Sequence, residues 1–349
     1  MLRYFGFSVF VTVAAIVLAG WELGLAAALT TTILIAIEVA FSFDNAVINA
    51  KVLDRLSRFW QQLFLTVGIL IAVVGMRFVF PILIVMITAG LPWTEVIDQA
   101  LNHPESYAKH LEEAHAAISA FGGAFLLTLT FYFFFDDLRE ELWLRRIERP
   151  LQKIGGSVWL PPLLTAIIVC IAAFFLHHDQ KTVLQAGLLG AGLYAGLKLT
   201  IDAMERLAPK ASKGGKAVIL TGWPALFALL YLEVLDASFS FDGVLGAFAI
   251  TDMVLIIALG LGVGAIWVRS LTVYMVRKGT LQAYKYLEHG AHYAILFLAA
   301  ALFSGLFIKI PEAIIGITGL GIILASFQAS REAKRAQERG EDLSKPLEM

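Results

Sequence analysis

Charge is scarce in this sequence. Of 349 residues only 16% are Asp, Glu, Lys or Arg, against 59% hydrophobic. A soluble domain carries about 25% charged residues, so an ordinary water-soluble globule is excluded. The single cysteine, Cys170, excludes an internal disulfide and any CxxC metal site. It lies in the run "LLTAIIVCIAAFF" and is expected to be a buried thiol. Acids and bases almost cancel, to a net charge of −1, which in a chain this apolar says nothing about nucleic acid or acidic partners; no nucleic-acid partner is expected. No small-x-small cleavage site follows the opening stretch "MLRYFGFSVFVTVAAIVLAG", which therefore reads as a retained first helix.

What the sequence has instead is apolar runs of roughly 20 residues, the length that crosses a bilayer as a helix. Ten are expected: 4–20, 24–50, 62–90, 117–136, 158–177, 183–203, 217–249, 253–275, 290–308 and 311–329. The second, third and seventh exceed what a bilayer needs, and tilted or broken helices would account for that excess; Pro81 is the breaker in the third. The fold class expected is an all-α, polytopic transmembrane helical bundle. Residues 1–330 form its single domain, and 331–349 form a charged cytoplasmic tail that frays or extends the last helix.

Basic residues alternate between the connections. Those after spans two, four, six and eight, and the tail, hold Lys51, Arg55 and Arg58; Arg139, Arg145, Arg146, Arg149 and Lys153; Arg206, Lys210, Lys213 and Lys216; Arg277, Lys278 and Lys285; and Arg331, Lys334, Arg335, Arg339 and Lys345. The other connections hold only Lys109, Lys181 and Lys309. The positive-inside rule then places both termini in the cytoplasm of a plasma (inner) membrane protein.

Acids interrupt the second and seventh runs in matching words. "IEVAFSFDNAVINA" carries Glu38, Ser42, Asp44, Asn45 and Asn49, and "LEVLDASFSFDGVLGAFA" carries Glu233, Asp236, Ser238, Ser240 and Asp242. Ser42-Phe43-Asp44 aligns with Ser240-Phe241-Asp242, and Glu38 with Asp236. One run is even-numbered and the other odd, so the copies are expected to be inverted in the membrane. Repeat one covers about 24–136 and repeat two about 217–329, with connecting helices at about 158–203. Inverted repeats of this kind place a binding site at the midplane, where the copies face each other.

A charge at a helix centre costs about 2.5–3.5 kcal/mol on insertion scales. Pairing with Arg77 or Lys198 could explain one or two acids, but not a repeated set. Glu38, Ser42 and Asn45 share a helical face, as do Glu233, Asp236 and Ser240. Asp44 and Asp242 point about 120° away on an ideal helix. All can reach one ion only if the helices wind irregularly near Ser-Phe-Asp, or if Asp44 and Asp242 meet across the repeat axis. Oxygen donors without sulfur or histidine suit hard cations such as Mg²⁺, Ca²⁺ or Mn²⁺. Carboxylates crowded round one centre take up protons when the cation leaves, which points to cation/proton exchange.

Other polar residues are accessory. Arg77 reads as a counter-charge to the site or an end-of-helix contact. Glu288, His289 and His292 read as interfacial groups or a second ion position, and Glu312 as a helix N-terminal acid. The stretch 91–117 contains His103, His110, His115, Glu105, Glu112 and Glu113, and its apolar spacing predicts an amphipathic surface helix. "FFFDDLREE", with Asp136, Asp137, Glu140 and Glu141, resembles half of a Mg²⁺–pyrophosphate site. Its second half is missing, as is any GxGD protease element, so an enzyme is not expected. A stress-resistance or scaffold protein without transport is the other alternative.

"EVAFSFDNAV" and "DASFSFDG" resemble the two signatures of the TerC-type integral membrane proteins, metal-ion exporters of the LysE-like superfamily. "GMRFVFP" and "YKYLEHGAHYAILF" resemble that family's later landmarks. Gly243 stands where the family usually has Ser, which marks a divergent branch. The resemblance covers most of residues 24–329 and implies export of a metal ion, Mn²⁺ above all. The implied ligand set is Glu38, Ser42, Asp44, Asn45, Glu233, Asp236, Ser240 and Asp242, with Arg77, Glu288, His289 and His292 accessory. The partners expected are the metal ion, as substrate, and the lipid bilayer; a homodimer is an open alternative, and no prosthetic group is expected.

Overall fold

The computed structural model describes residues 2–176, 178–207, 219–248, 250–251, 253–308 and 310–339; the side chains of 2–3, 204–207, 240–242, 245 and 312 lie outside that description. In chain order the helices are α1 (Leu2–Leu23), α2 (Leu25–Phe41), α3 (Phe43–Asp54), α4 (Arg58–Leu63), α5 (Phe80–Ala89), α6 (Trp93–Asn102), α7 (Pro104–Phe134), α8 (Arg145–Ile154), α9 (Leu160–Phe175), α10 (Gln180–Leu207), α11 (Gly222–Phe248), α12 (Val254–Lys278), α13 (Thr280–Ala283), α14 (Leu287–Gly305) and α15 (Glu312–Glu338). Two π-helical stretches, Phe64–Gly68 and Ile71–Val79, join α4 to α5. No strand forms among the described residues; one isolated bridge ties Leu56 to Leu220.

The expected all-helical bundle is what forms, with a correction to the number of spans. Among the described residues eight helical runs are long and apolar enough to cross a membrane, and the bent pair α2–α3 makes a ninth. The tenth expected span, α9, is apolar but has 16 residues, about 24 Å at 1.5 Å per residue, so it reaches across only a bilayer that thins to meet it. Pro81 does not break the third run. It sits at the start of α5, just after the π-helical stretch, whose wider winding absorbs the missing backbone donor.

The stretch 91–117 is helical and amphipathic, as its spacing predicts, but divided. α6 turns Val96 and Ala100 inward, and α7 restarts at Pro104, whose fixed φ suits a first helical position. Tyr107, Leu111 and Ala114 continue the buried stripe.

The principal core lies where α3, α7, α11 and α14 meet, around Ala46, Val47, Phe125, Leu126, Leu129, Leu235, Ala291 and Ile295. Small residues let these helices approach closely. The outer faces are apolar instead: Phe7, Phe10, Val13 and Val17 of α1 are exposed, as a lipid-facing helix requires. Cys170 follows the same rule. It is exposed on α9, which corrects the expected buried thiol, because an apolar run in a membrane faces hydrocarbon as readily as core.

Candidate functional site

The first acid phrase breaks its helix. α2 ends at Phe41, Ser42 adopts φ −97° and ψ 19°, and α3 leaves from Phe43 at an angle of 53°. The bend keeps two backbone bonds across it, Ser42 N to Glu38 O at 3.0 Å and Ala46 N to Ser42 O at 3.2 Å. It creates a helix N-terminus inside the protein, and Asp44 occupies its first turn, where the dipole favours an acid. The Asn45 backbone N–H donates to Asp44 Oδ1 at 2.8 Å. The second phrase behaves differently: α11 runs unbroken from Gly222 to Phe248. The side chains of Ser240 and Asp242, both expected ligands, lie outside the described residues.

Two arginines organise the acids. Arg77, buried in the π-helical stretch, donates from Nη2 to Glu38 Oε1 and from Nη1 to Asp236 Oδ2 at 3.4 Å and Ala72 O at 3.0 Å. Arg269, buried in α12, donates from Nη2 to both oxygens of Glu233 at 3.3 and 3.4 Å, lies 3.8 Å from Asp236, and stacks on the Phe64 ring at 3.8 Å. Asp236 is thus shared by both guanidinium groups. Sequence reasoning placed Arg77 beside the acids or at a helix end; it is a mid-run counter-charge. Lys198, the other candidate partner, pairs with Asp202 instead, at 2.5 Å. Arg269 was missed, although a lone arginine within "GAIWVRSLTV" is itself a signal.

The two phrases touch at equivalent positions. Asn45 Nδ2 donates to Asp236 Oδ1 at 2.6 Å. In the repeat alignment Asn45 corresponds to Gly243, and Asp236 to Glu38. A Cβ built on Gly243 would stand 3.3 Å from Glu38 Oε2. The same approach therefore occurs twice, with an amide filling it once and nothing filling it the second time. Glycine at position 243 has this steric consequence: the Glu38 carboxylate keeps an open side.

That side faces a cavity of about 70 Å³ lined by Glu38, Phe41, Ser42, Asp44, Phe239, Gly243, Ala294, Leu298 and Gly316 among others. Ser42 Oγ donates to Glu38 Oε1 at 3.2 Å. Ser238, by contrast, turns back to Val234 O at 2.9 Å. Several buried polar atoms have no protein partner: Asn45 Oδ1, both amide atoms of Asn49, Arg77 Nε and Arg269 Nη1.

The remaining expected residues form a separate cluster at one end of the bundle. His289 Nδ1 lies 3.0 Å from Glu148 Oε2, and Arg139 Nη2 donates to the same oxygen at 3.1 Å. His292 stacks on Phe133 with ring centres 3.6 Å apart, and Glu288 pairs with Lys51 at 2.7 Å. Neither histidine is the solvated interfacial group expected. Glu148, fully buried, was not anticipated at all.

The donor set near the break, carboxylates with serine and asparagine oxygens, has the hardness a divalent cation needs. It is not assembled as a metal centre: among the described residues no three of His, Cys, Asp and Glu stand close enough to hold an ion. That covers the outer histidines and the Asp136–Glu141 loop too. Arginines stand between the acids instead.

Residues 43–337 match DUF475, a family described as a protein of unknown function. The chain belongs to this family. No curated protein and no solved structure matches the chain. The DUF475 match takes in Asp44, Arg77, Asp236, Arg269 and Glu148, and begins one residue after the bend at Ser42. It does not carry the TerC-type resemblance, which rests on the two acid phrases and the later stretches "GMRFVFP" and "YKYLEHGAHYAILF".

Proposed function

We propose that this DUF475 protein is a secondary transporter that exports a divalent metal cation, Mn²⁺ foremost, in exchange for protons. It sits in the plasma (inner) membrane with both termini cytoplasmic, as a TerC-type exporter would; that topology, and the inversion of the two acid phrases, require the short α9 to cross as a tenth span. The observation that carries this reading is the meeting of Glu38 and Asp236, one from each acid phrase, at Arg77 beside the broken helix and its cavity. Glu38, Ser42 and Asp44 line one space, and Asn45 and Asn49 bring acceptor oxygens that the protein leaves unused.

A cation entering that space competes with guanidinium for the carboxylates. Arg77 and Arg269 hold the acids' charge balance when the cation is elsewhere; the cation, once bound, displaces that pairing. Protons taken up by the carboxylates complete the exchange. The anionic ligands outnumber the two arginines, which favours a cation over an oxyanion as cargo.

The test is Mn²⁺ flux coupled to proton flux in proteoliposomes. Asp44→Asn and Asp242→Asn are expected to abolish flux in protein that still inserts, while Asp137→Asn, at an exposed loop, leaves it intact. Normal flux in the first two with a dead third variant would move the chemistry to the loop and favour an enzyme. Reporter fusions after Lys153 and Lys213 are expected to read cytoplasmic and one near Pro104 external; a cytoplasmic Pro104 would end the inverted-repeat reading.

A further inference from the structure

The segment between α7 and α9 has a structure its charge does not advertise. α8 is held from one side. Glu148 is fully buried against His289 and Arg139, and also accepts from the Leu144 backbone N–H at 3.1 Å. One turn on, Gln152 Nε2 donates to the carbonyls of Asp136 and Arg139 at 3.0 and 2.9 Å. At about 100° per residue, Leu151, Glu148 and Gln152 fill one sector of the helix.

The rest of the circumference is exposed and divided. Arg145, Arg146, Arg149 and Lys153 share an arc of about 100°, all exposed and none in an ion pair among the described residues. Beside that arc, on the other exposed side, lie Ile147 and Ile154, 50% and 61% exposed. Trp159, also exposed, follows just before α9, and Tyr132 Oη ties this connection to α7 through Val158 O at 2.7 Å. A basic stripe next to an apolar stripe is the signature of a helix lying in a membrane interface. Tryptophan at the foot of the next apolar helix marks the same depth.

We propose that α8 is a membrane-surface helix that binds anionic phospholipid, its four bases taking headgroup phosphates while Ile147 and Ile154 enter the acyl boundary. The buried Glu148 and the backbone contacts of Gln152 hold the basic arc in place before any lipid arrives, so binding does not have to order the helix. The proposal is independent of what the protein carries.

The test is native mass spectrometry of the full chain in detergent micelles, offering dioleoylphosphatidylglycerol and dioleoylphosphatidylcholine at equal concentration. Preference for phosphatidylglycerol is expected. It should fall by about fivefold for each base neutralised, since a surface base contributes on the order of 1 kcal/mol to such binding. Arg145→Gln, Arg146→Gln, Arg149→Gln and Lys153→Gln together should erase it, and Arg277→Gln with Lys278→Gln, at another basic connection, should not. Millimolar inorganic phosphate should fail to displace the lipid. If the fourfold variant does not purify as a single species, Arg146→Gln with Arg149→Gln reads the same loss on a smaller scale. Unchanged preference in the α8 variants, equal loss in the control, or displacement by free phosphate would each overturn the assignment.

Discussion

The two acid phrases read almost identically, yet one bends its helix by 53° and the other runs straight through as α11. Both set an acid against an arginine on the helical run that follows: Glu38 against Arg77, Glu233 against Arg269. The difference lies in what closes each acid off. Asp236 is covered by the Asn45 amide and shared between two guanidinium groups, whereas its counterpart Glu38 meets only Gly243 at that point and opens on the cavity. Repetition thus supplied the charges twice, and small substitutions made one copy a clamp and the other an opening. An acid in an apolar run does not by itself identify a binding position; its neighbours decide whether it is occupied by the protein.

The most severe way to break the comparison is to remove an arginine. Arg77→Ala leaves Glu38 and one side of Asp236 without a buried counter-charge, and losing one member of a buried pair costs about 3–5 kcal/mol. Arg269→Ala should cost less within that range, because its contacts to Glu233 are longer and Asp236 keeps Arg77. Thermal unfolding in detergent measures both. Equal, negligible losses would mean the acids are not held charged by these partners.

Glycine gives the next largest effect. α12 meets α2 so closely that a Cβ on Gly264 would lie 2.4 Å from Glu38 Cγ and 2.5 Å from its Cβ. The Cβ cannot move without moving α2, and turning the Cγ aside would break the pair with Arg77, so Gly264→Ala should cost about 1–3 kcal/mol as overpacking does. At Gly68 the equivalent atom would meet Glu233 Oε1 at 2.9 Å and Arg269 Nη1 at 3.2 Å, both ends of side chains that can shift. Gly68→Ala is therefore the milder variant in the same melting assay, and a reversal of that order would show that the Glu233 side is the more rigid.

Much of this was legible in the sequence, in a particular sense. Acids inside apolar runs announce themselves by their cost, and the two phrases announce their relation by repeating. What a linear reading could not supply was partnership. Arg269 escaped because basic residues were read as markers of the connections. Glu148 escaped because it sits among arginines in a segment that looks solvated; only the fold brings His289 to it from the start of α14. The bend was legible only as a condition, that Asp44 could not share the face of Glu38 on an ideal helix. Ser42 meets that condition in the first phrase, while the second, with the same Ser-Phe-Asp, stays straight. Cys170 failed for a general reason: in a bilayer, apolarity does not distinguish core from surface.

A smaller change sharpens the comparison directly. Gly243→Asn would give Glu38 the amide that Asp236 already has. The site is tight at 3.3 Å, and a hydrogen bond to a charged group is worth roughly 1.5 kcal/mol at the low end. If the open side of Glu38 receives the cargo, the apparent affinity for Mn²⁺ in the flux assay should weaken by about tenfold with the melting temperature little changed. Unaltered affinity would place the cargo elsewhere in the cavity.

The smallest expected effect concerns Glu148, the same acid-and-arginine device moved outside the apolar runs. Burial alone would raise its carboxyl above the ordinary 4.5. The hydrogen bond and charge of His289, the Leu144 N–H and the Arg139 guanidinium outweigh burial and hold it below that value. A carboxyl held low in the folded protein contributes stability that is present above its unfolded value and is lost as pH falls through the folded one. Wild type should therefore melt above Glu148→Gln near neutral pH, and the gap should close only below 4.5. Glutamine can still accept the Leu144 N–H, but its amide nitrogen would then face the Arg139 donor, so the pH dependence of the gap, not its size, reports the charge. Melting curves of both proteins from about pH 7 to about pH 3 give the answer. A gap that persists unchanged into acid would mean that shape, not charge, holds α8 against α14, and that the clamp at the end of the bundle works differently from the one at its centre.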